Sequence, residues 1–167
     1  MSRAFTKEDA QQDDVVVVAR APLPDGAANL VTTRGYALLR SEESAITDEL
    51  AAASSSGDER RSAALDAAAD ELALRLSSAE VREPAENDKQ SVRFGDVVTL
   101  RAVGAAGSAT FSLQIVGVDE ADPEEDRISH LAPLARALLG AKVGERVAQG
   151  ATGAAGARRE VEIVAIG

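Results

Sequence analysis

Three short stretches carry side chains that could do chemistry. Asp119-Glu120-Ala121-Asp122-Pro123-Glu124-Glu125-Asp126 crowds carboxylates into one segment. A calcium loop would space its oxygens and place a glycine at the sharp turn, and neither feature is present. A charge run of this kind reads as a solvated loop. Its functional version is electrostatic docking on a basic surface. Ser129-His130 suggests a nucleophile and a base, but adjacent strand residues point to opposite faces, and no motif supports an activated serine. His130 therefore reads as a structural or surface residue. Gly57-Asp58-Glu59-Arg60-Arg61 places two acids at a helix start. Successive helical side chains diverge, and the two arginines favour ion pairing over sharing of a metal. With His130 the lone imidazole and no cysteine in the chain, thiolate zinc sites, multi-histidine metal sites, disulfides and thiol nucleophiles are excluded.

The bulk properties narrow the classes further. The chain has 167 residues, 18 Lys+Arg against 28 Asp+Glu, and a formal charge of −10. Binding to a phosphate backbone needs clustered cations, so a basic protein is the expected partner. Phe5, Tyr36, Phe94 and Phe111 are the only aromatics. They allow a modest core but no platform for stacking bases. The polar start lacks an apolar signal core, and the longest aliphatic run, Val15–Val18, is too short to span a bilayer. The expectation is a soluble, cytoplasmic protein with no membrane contact, acting as a monomer.

These residues must be positioned by an α+β chain. Residues 1–30 read as a flexible tail, with Val15–Val18 a strand candidate lacking a neighbour. Residues 31–81 read as a helical hairpin. Thr32-Thr33 caps its first helix, and Gly35 just inside weakens it. Tyr36, Leu39, Ile46, Leu50 and Ala53 share one face. Ser54–Asp58 breaks the helix. The second helix runs from Glu59 to Glu80, with Leu65, Ala68, Leu72, Leu76 and Ala79 in its seam. The short break makes the pair antiparallel, with arms on the order of 30 Å. Residues 82–91, polar and containing Pro84, form a linker. Residues 92–167 read as a small antiparallel sheet with one covering helix, Pro133–Leu139. Phe111, Leu113 and Ile115 alternate with Thr110, Ser112 and Gln114, and Val161 and Ile163 with Glu160 and Glu162. Pro133 suits a first helical position and Gly140 a closing one.

The stretch Ile115–Gly140, IVGVDEADPEEDRISHLAPLARALLG, resembles the signature half of the C-terminal domain of the GreA/GreB family of bacterial transcription elongation factors. Asp119-Glu120-Ala121-Asp122-Pro123, Ile128-Ser129, Pro133-Leu134-Ala135 and Leu138-Leu139-Gly140 match in order and spacing. Ala132 departs, since the family usually has serine there. Phe94-Gly95-Asp96-Val97-Val98, Ile115-Val116-Gly117 and Val143-Gly144-Glu145-Arg146-Val147 also look like family positions. So do Val31-Thr32-Thr33-Arg34-Gly35 and Ser77-Ser78-Ala79-Glu80-Val81 at the two ends of the hairpin. The resemblance covers Asn29 to Gly167 and is strongest over Val92–Val147.

The resemblance implies an FKBP-like C-terminal domain that docks on RNA polymerase near the mouth of the secondary channel. Asp119, Glu120, Asp122, Pro133, Leu134 and Ala135 are the docking candidates. The coiled coil projects into the channel, where acids at its tip help hold a magnesium ion of the polymerase active site. Contact with nucleic acid is indirect, the protein has no cofactor of its own, and the polymerase carries out any RNA cleavage. The family tip resembles Gly-Asp-x-x-Glu. Here Asp58 matches the aspartate, Glu59 is adjacent, and Arg61 stands where the second acid belongs. Both arms also look short. The expected function is polymerase binding with weak or no stimulation of cleavage. The alternatives are an active cleavage factor using Asp58 and Glu59, a Rnk-like regulator with a short hairpin, a peptidyl-prolyl isomerase, and a protein-interaction module unrelated to transcription.

Overall fold

The computed structural model describes residues 20–84, 89–104, 109–149 and 159–167. The chain opens with β1 (Asn29–Val31), followed by α1 (Thr33–Ser56), α2 (Glu59–Ser77) and β2 (Ala79–Val81). β1 and β2 pair in parallel. Parallel strands need a long crossover connection, and here the whole helical hairpin is that connection. The two strands form a short sheet at its base. Val31, Leu39 and Leu72 are buried together there, with Ile46, Leu76 and Ala79 packed against them. Leu65 and Ala53 are buried nearer the tip. The narrow seam read from the sequence is therefore the surface on which the helices meet.

The second unit contains β3 (Val97–Ala102), β4 (Thr110–Val116), a 3-10 turn (Pro123–Glu125), β5 (Arg127–Ser129), α3 (Pro133–Leu138), β6 (Arg146–Gln149) and β7 (Arg159–Ile166). The sheet order is β5-β4-β3-β7-β6. The pairings are antiparallel except for β4 with β5, which is parallel. The acidic segment turns the chain so that β5 runs alongside β4. Val98, Leu100, Leu113, Ile115, Val161 and Ile163 bury one face of the sheet, and Ala135 and Leu138 of α3 cover it. The alternation in β4 and β7 is that of a half-buried antiparallel strand. Phe111 breaks the pattern: it is paired with Leu100 of β3 yet is 41% exposed.

Several boundaries differ from the sequence reading. α1 runs through the serines to Ser56, because Ser55 and Ser56 donate back to Ala51 O (2.8 Å) and Ala53 O (2.9 Å). Their hydroxyls join the helix rather than compete with it. Gly57 then closes α1 in the left-handed region at φ 74°. α2 stops at Ser77, short of Glu80, because Ala79–Val81 is drawn into β2. Residues 20–30, expected within a tail, are placed against the hairpin, while Val15–Val18 lies outside the described residues. Ala132 caps α3 without a side-chain hydrogen bond, the local loss expected where serine is missing.

Two glycines test different physics. At Gly117 a Cβ would stand 2.6 Å from the backbone oxygen of Leu30 in β1, so the sheet unit touches the hairpin base only because no side chain intervenes. At Gly57 there is open space, and only the positive φ is demanding. Gly117→Ala is expected to destabilise the protein by about 1–3 kcal/mol through overpacking. Gly57→Ala should cost about 1–2 kcal/mol through backbone strain. Denaturant titrations would measure both. Only Gly117→Ala should also expose the joint between the two units to hydrogen exchange.

Candidate functional site

The hairpin tip is built by helix capping. Asp58 is the N-cap of α2 and its Oδ1 accepts a hydrogen bond from the Arg61 backbone N–H at 3.0 Å. A capping carboxylate satisfies one of the free N–H groups at a helix start. Glu59 stands in the exposed first turn, where a negative charge suits the helix dipole. Arg61 reaches across the hairpin, its Nη2 3.2 Å from Glu49 Oε2 on α1. The tip thus presents Asp58 as a structural cap beside an interhelical ion pair. The sequence reading had the arginines pairing with the adjacent tip acids; Arg61 instead pairs with Glu49 on the facing helix.

The acidic segment is not the solvated loop expected. Its first two carboxylates are buried under the hairpin base. The Glu120 side chain is only 3% exposed. It accepts from the Thr32 hydroxyl at 2.5 Å, and Thr32 Oγ1 in turn accepts from the Gly35 N–H at 2.9 Å. One threonine therefore caps α1 and ties it to the sheet unit. Gly35, which looked like a weak point in the helix, has a steric reason: a Cβ there would come within 2.7 Å of Glu120 Oε2. Arg34 stands farther off, 3.9 Å from Glu120 and 3.7 Å from Glu125.

Asp119, with its side chain 8% exposed, meets Arg20 Nη1 at 2.8 Å and Arg75 Nε at 3.4 Å. Arg20 also reaches Glu42 on α1 at 2.5 Å. Burial disfavours the Arg20 charge, but hydrogen bonds to Glu42 and Asp119 outweigh it and the guanidinium pKa is raised. Arg75, buried on α2, donates to the backbone oxygen of Ala21 in the N-terminal segment. Buried charges persist where they are paired, and here every pair crosses between the hairpin, the N-terminal segment and the turn after β4. Sequence reasoning missed Arg20 and Arg75. An apolar seam offers no signal for an arginine on its flank, and Arg20 fell in a segment read as tail.

The rest of the acidic segment is more open. Asp122 caps the 3-10 turn by accepting from Glu124 N–H at 3.0 Å. Arg127 lies inside the turn, 2.6 Å from Glu125 and 3.8 Å from Asp122. On α3, Pro133 is exposed, Leu134 half-buried and Ala135 fully buried in the main core. The docking set thus divides. Asp122, Pro133 and Leu134 can meet a partner; Asp119, Glu120 and Ala135 hold the molecule together.

Ser129 and His130 are engaged separately. Ser129 Oγ accepts from the Leu131 N–H at 3.2 Å, while His130 Nδ1 faces Val116 O at 3.3 Å. Phe94 meets the imidazole edge-on at a centroid distance of 5.6 Å. Asp96 is buried, taking the Arg93 N–H at 2.8 Å and Lys89 Nζ at 3.0 Å. It fastens the end of the linker to the sheet. Among the described residues no group of three or more His, Asp or Glu side chains is placed to hold a metal ion. No described helix is long and apolar enough to cross a membrane.

Residues 87–167 match the family described as transcription elongation factor GreA/GreB, C-terminal. Transcription elongation factor GreA of Lactococcus lactis is 37% identical over 112 residues, covering 61% of this chain and 70% of the relative. GreA of Ralstonia nicotianae is 30% identical over 156 residues, covering 87% of this chain and 96% of the relative. Among solved structures, the elongation factor GreA/GreB from Nitrosomonas europaea is 24% identical, with 82% of this chain and 97% of that chain covered and a TM-score of 0.42. GreA factor homolog 1 of Thermus thermophilus is also 24% identical, with 84% and 99% covered and a TM-score of 0.40. The chain belongs to the GreA/GreB family of bacterial transcription elongation factors.

The burial of Glu120 makes Thr32 the site's most consequential hydroxyl. Thr32→Val removes the α1 cap and leaves a buried carboxylate without its donor. Its expected cost is roughly 2–3 kcal/mol. Glu124→Gln, on the exposed side of the same turn, should stay within about 0.5 kcal/mol of the native protein. Equilibrium unfolding in urea would read both, and equal effects would contradict the division of the turn.

Proposed function

We propose that this chain regulates transcription elongation by binding RNA polymerase at the secondary channel while stimulating transcript cleavage weakly or not at all. The observation that carries the reading is the tip. Its aspartate is committed to capping α2, and Arg61, paired with Glu49, occupies the position where a second acid would stand. A divalent magnesium ion is held by carboxylates together with waters and phosphate oxygens. A donor set of one capping aspartate and a divergent Glu59, beside two arginines, fits a shared magnesium poorly. Any cleavage is the chemistry of the polymerase, and this chain contributes no catalytic residue.

Docking falls to the surface that the fold leaves open. Asp122, Pro133 and Leu134 lie on the turn and helix that cover the sheet, and the net charge of −10 favours a basic partner surface. Contact with nucleic acid is then made only within the polymerase complex. An active cleavage factor using Asp58 and Glu59 is the second reading, and the exposure of Glu59 is what favours it. For the isomerase alternative, Phe94 is packed on His130 and Phe111 is exposed on β4, which is not an aromatic-lined pocket.

Backtracked complexes of purified bacterial RNA polymerase test the proposal. Native protein should bind the core enzyme in a pull-down yet release little cleaved RNA, and Arg61→Glu should raise cleavage several-fold. Robust cleavage by the native chain that disappears in Asp58→Ala would overturn the non-cleaving reading. In the pull-down, Leu134→Asp should lower retention at least tenfold while circular dichroism stays native.

A further inference from the structure

The joint between hairpin and sheet unit has one fixed point, beside which Arg34 of α1 and Arg75 of α2 add ion pairs to the acidic turn, and one strut. The fixed point is the start of α1, where Thr32 binds Glu120 and the Leu30 backbone abuts Gly117. Contact at one end of a rod leaves its direction free. The strut stands away from that point. Glu42 is ten residues up α1 from Thr32, roughly 15 Å along the helix axis. There Arg20 joins Glu42 at 2.5 Å to Asp119 of the sheet unit at 2.8 Å. Arg20 belongs to neither body. It arrives on the N-terminal segment, which is held on α2 by Arg75 bonding Ala21 O, with Leu23 lining the same surface cleft as Leu74 and Ser78.

We propose that residues 20–24 form a strap that sets the angle of the hairpin, with Arg20 as its positioning residue. The argument rests on charge. Glu42 and Asp119 are both acidic and are brought to opposite ends of one guanidinium. While Arg20 is present they are bridged. Without it, two carboxylates face each other across the joint and repel, Asp119 in a poorly screened setting. Arg75 remains on Asp119 but is fixed to α2 and does not reach Glu42. The strap therefore does more than add a contact: its removal leaves Glu42 and Asp119 without the cation that bridges them. The angle it holds decides where the tip points relative to α3, so the strap governs how far apart any two surfaces engaged by this protein can lie.

The chain contains no cysteine, so a spin-label pair can be introduced cleanly at the exposed positions Ser55, near the tip, and Ala137 on α3. Pulsed double electron–electron resonance on the full chain reads the distance between them. The native protein should give one narrow distribution. Arg20→Gln should shift and broaden it while the helical circular dichroism is unchanged. Arg20→Gln combined with Glu42→Gln, which removes the repulsion, should recentre the distribution on the native mean. Glu42→Gln alone cuts the strut at its exposed end and should broaden the distribution, which keeps the test open if Arg20→Gln fails to fold. Native distributions for both single variants would overturn the strap. A double variant as displaced as Arg20→Gln would overturn the repulsive account.

Discussion

Two adjacent carboxylates, Asp119 and Glu120, are buried where the hairpin meets the sheet, and the rest of the molecule is arranged to make that tolerable. An unpaired buried carboxylate is too expensive to keep ionised. Each of these is met by a group from outside the sheet unit: the Thr32 hydroxyl for Glu120, Arg75 of α2 and Arg20 of the N-terminal segment for Asp119. The same constraint accounts for the glycines at positions 35 and 117, where any side chain would meet Glu120 or the β1 backbone. It accounts for the short parallel β1–β2 sheet as well, which holds both ends of the hairpin at the height of the turn.

The joint is ionic and hydrogen-bonded, whereas the cores on either side of it are apolar. Val31, Leu39 and Leu72 stabilise the hairpin base, and the cluster of Val98, Leu100, Ile115, Leu138 and Ile163 stabilises the sheet unit. Apolar burial is non-directional. A joint made of directed bonds between named groups fixes one orientation instead of a family of them. The tip carries Asp58 in the company of Arg61 and Glu49. The tip and the α3 surface are carried by different elements, so one can change without the other.

How far the sequence was legible depended on the range of the interaction. The helices and most strands follow from periods of 3.6 and 2. The capping threonine, the closing Gly57, Pro133 at the start of α3 and the Gly140 that follows it were likewise readable locally. The serine-rich end of α1 was misread, because the hydroxyls of Ser55 and Ser56 turn back onto helix carbonyls, a choice that composition does not reveal. The acidic segment was misread more deeply. Charge density argues for solvent, and only the approach of Thr32, Arg20 and Arg75 makes burial possible.

The sequence by itself determined the elements, the seam of the hairpin, the identity of the tip residues and the family, because these rest on neighbours within a few turns of chain or on motif order. Tertiary structure alone decided that Asp119 and Glu120 are the joint, that Gly35 is a close-approach site, and that Arg20 links α1 to the sheet unit. Those facts depend on partners far apart in the chain, Thr32 with Glu120 and Arg20 with Asp119. Nothing local to either residue specifies the other; the fold brings them together, and their charges and hydrogen-bonding groups then decide what the contact does.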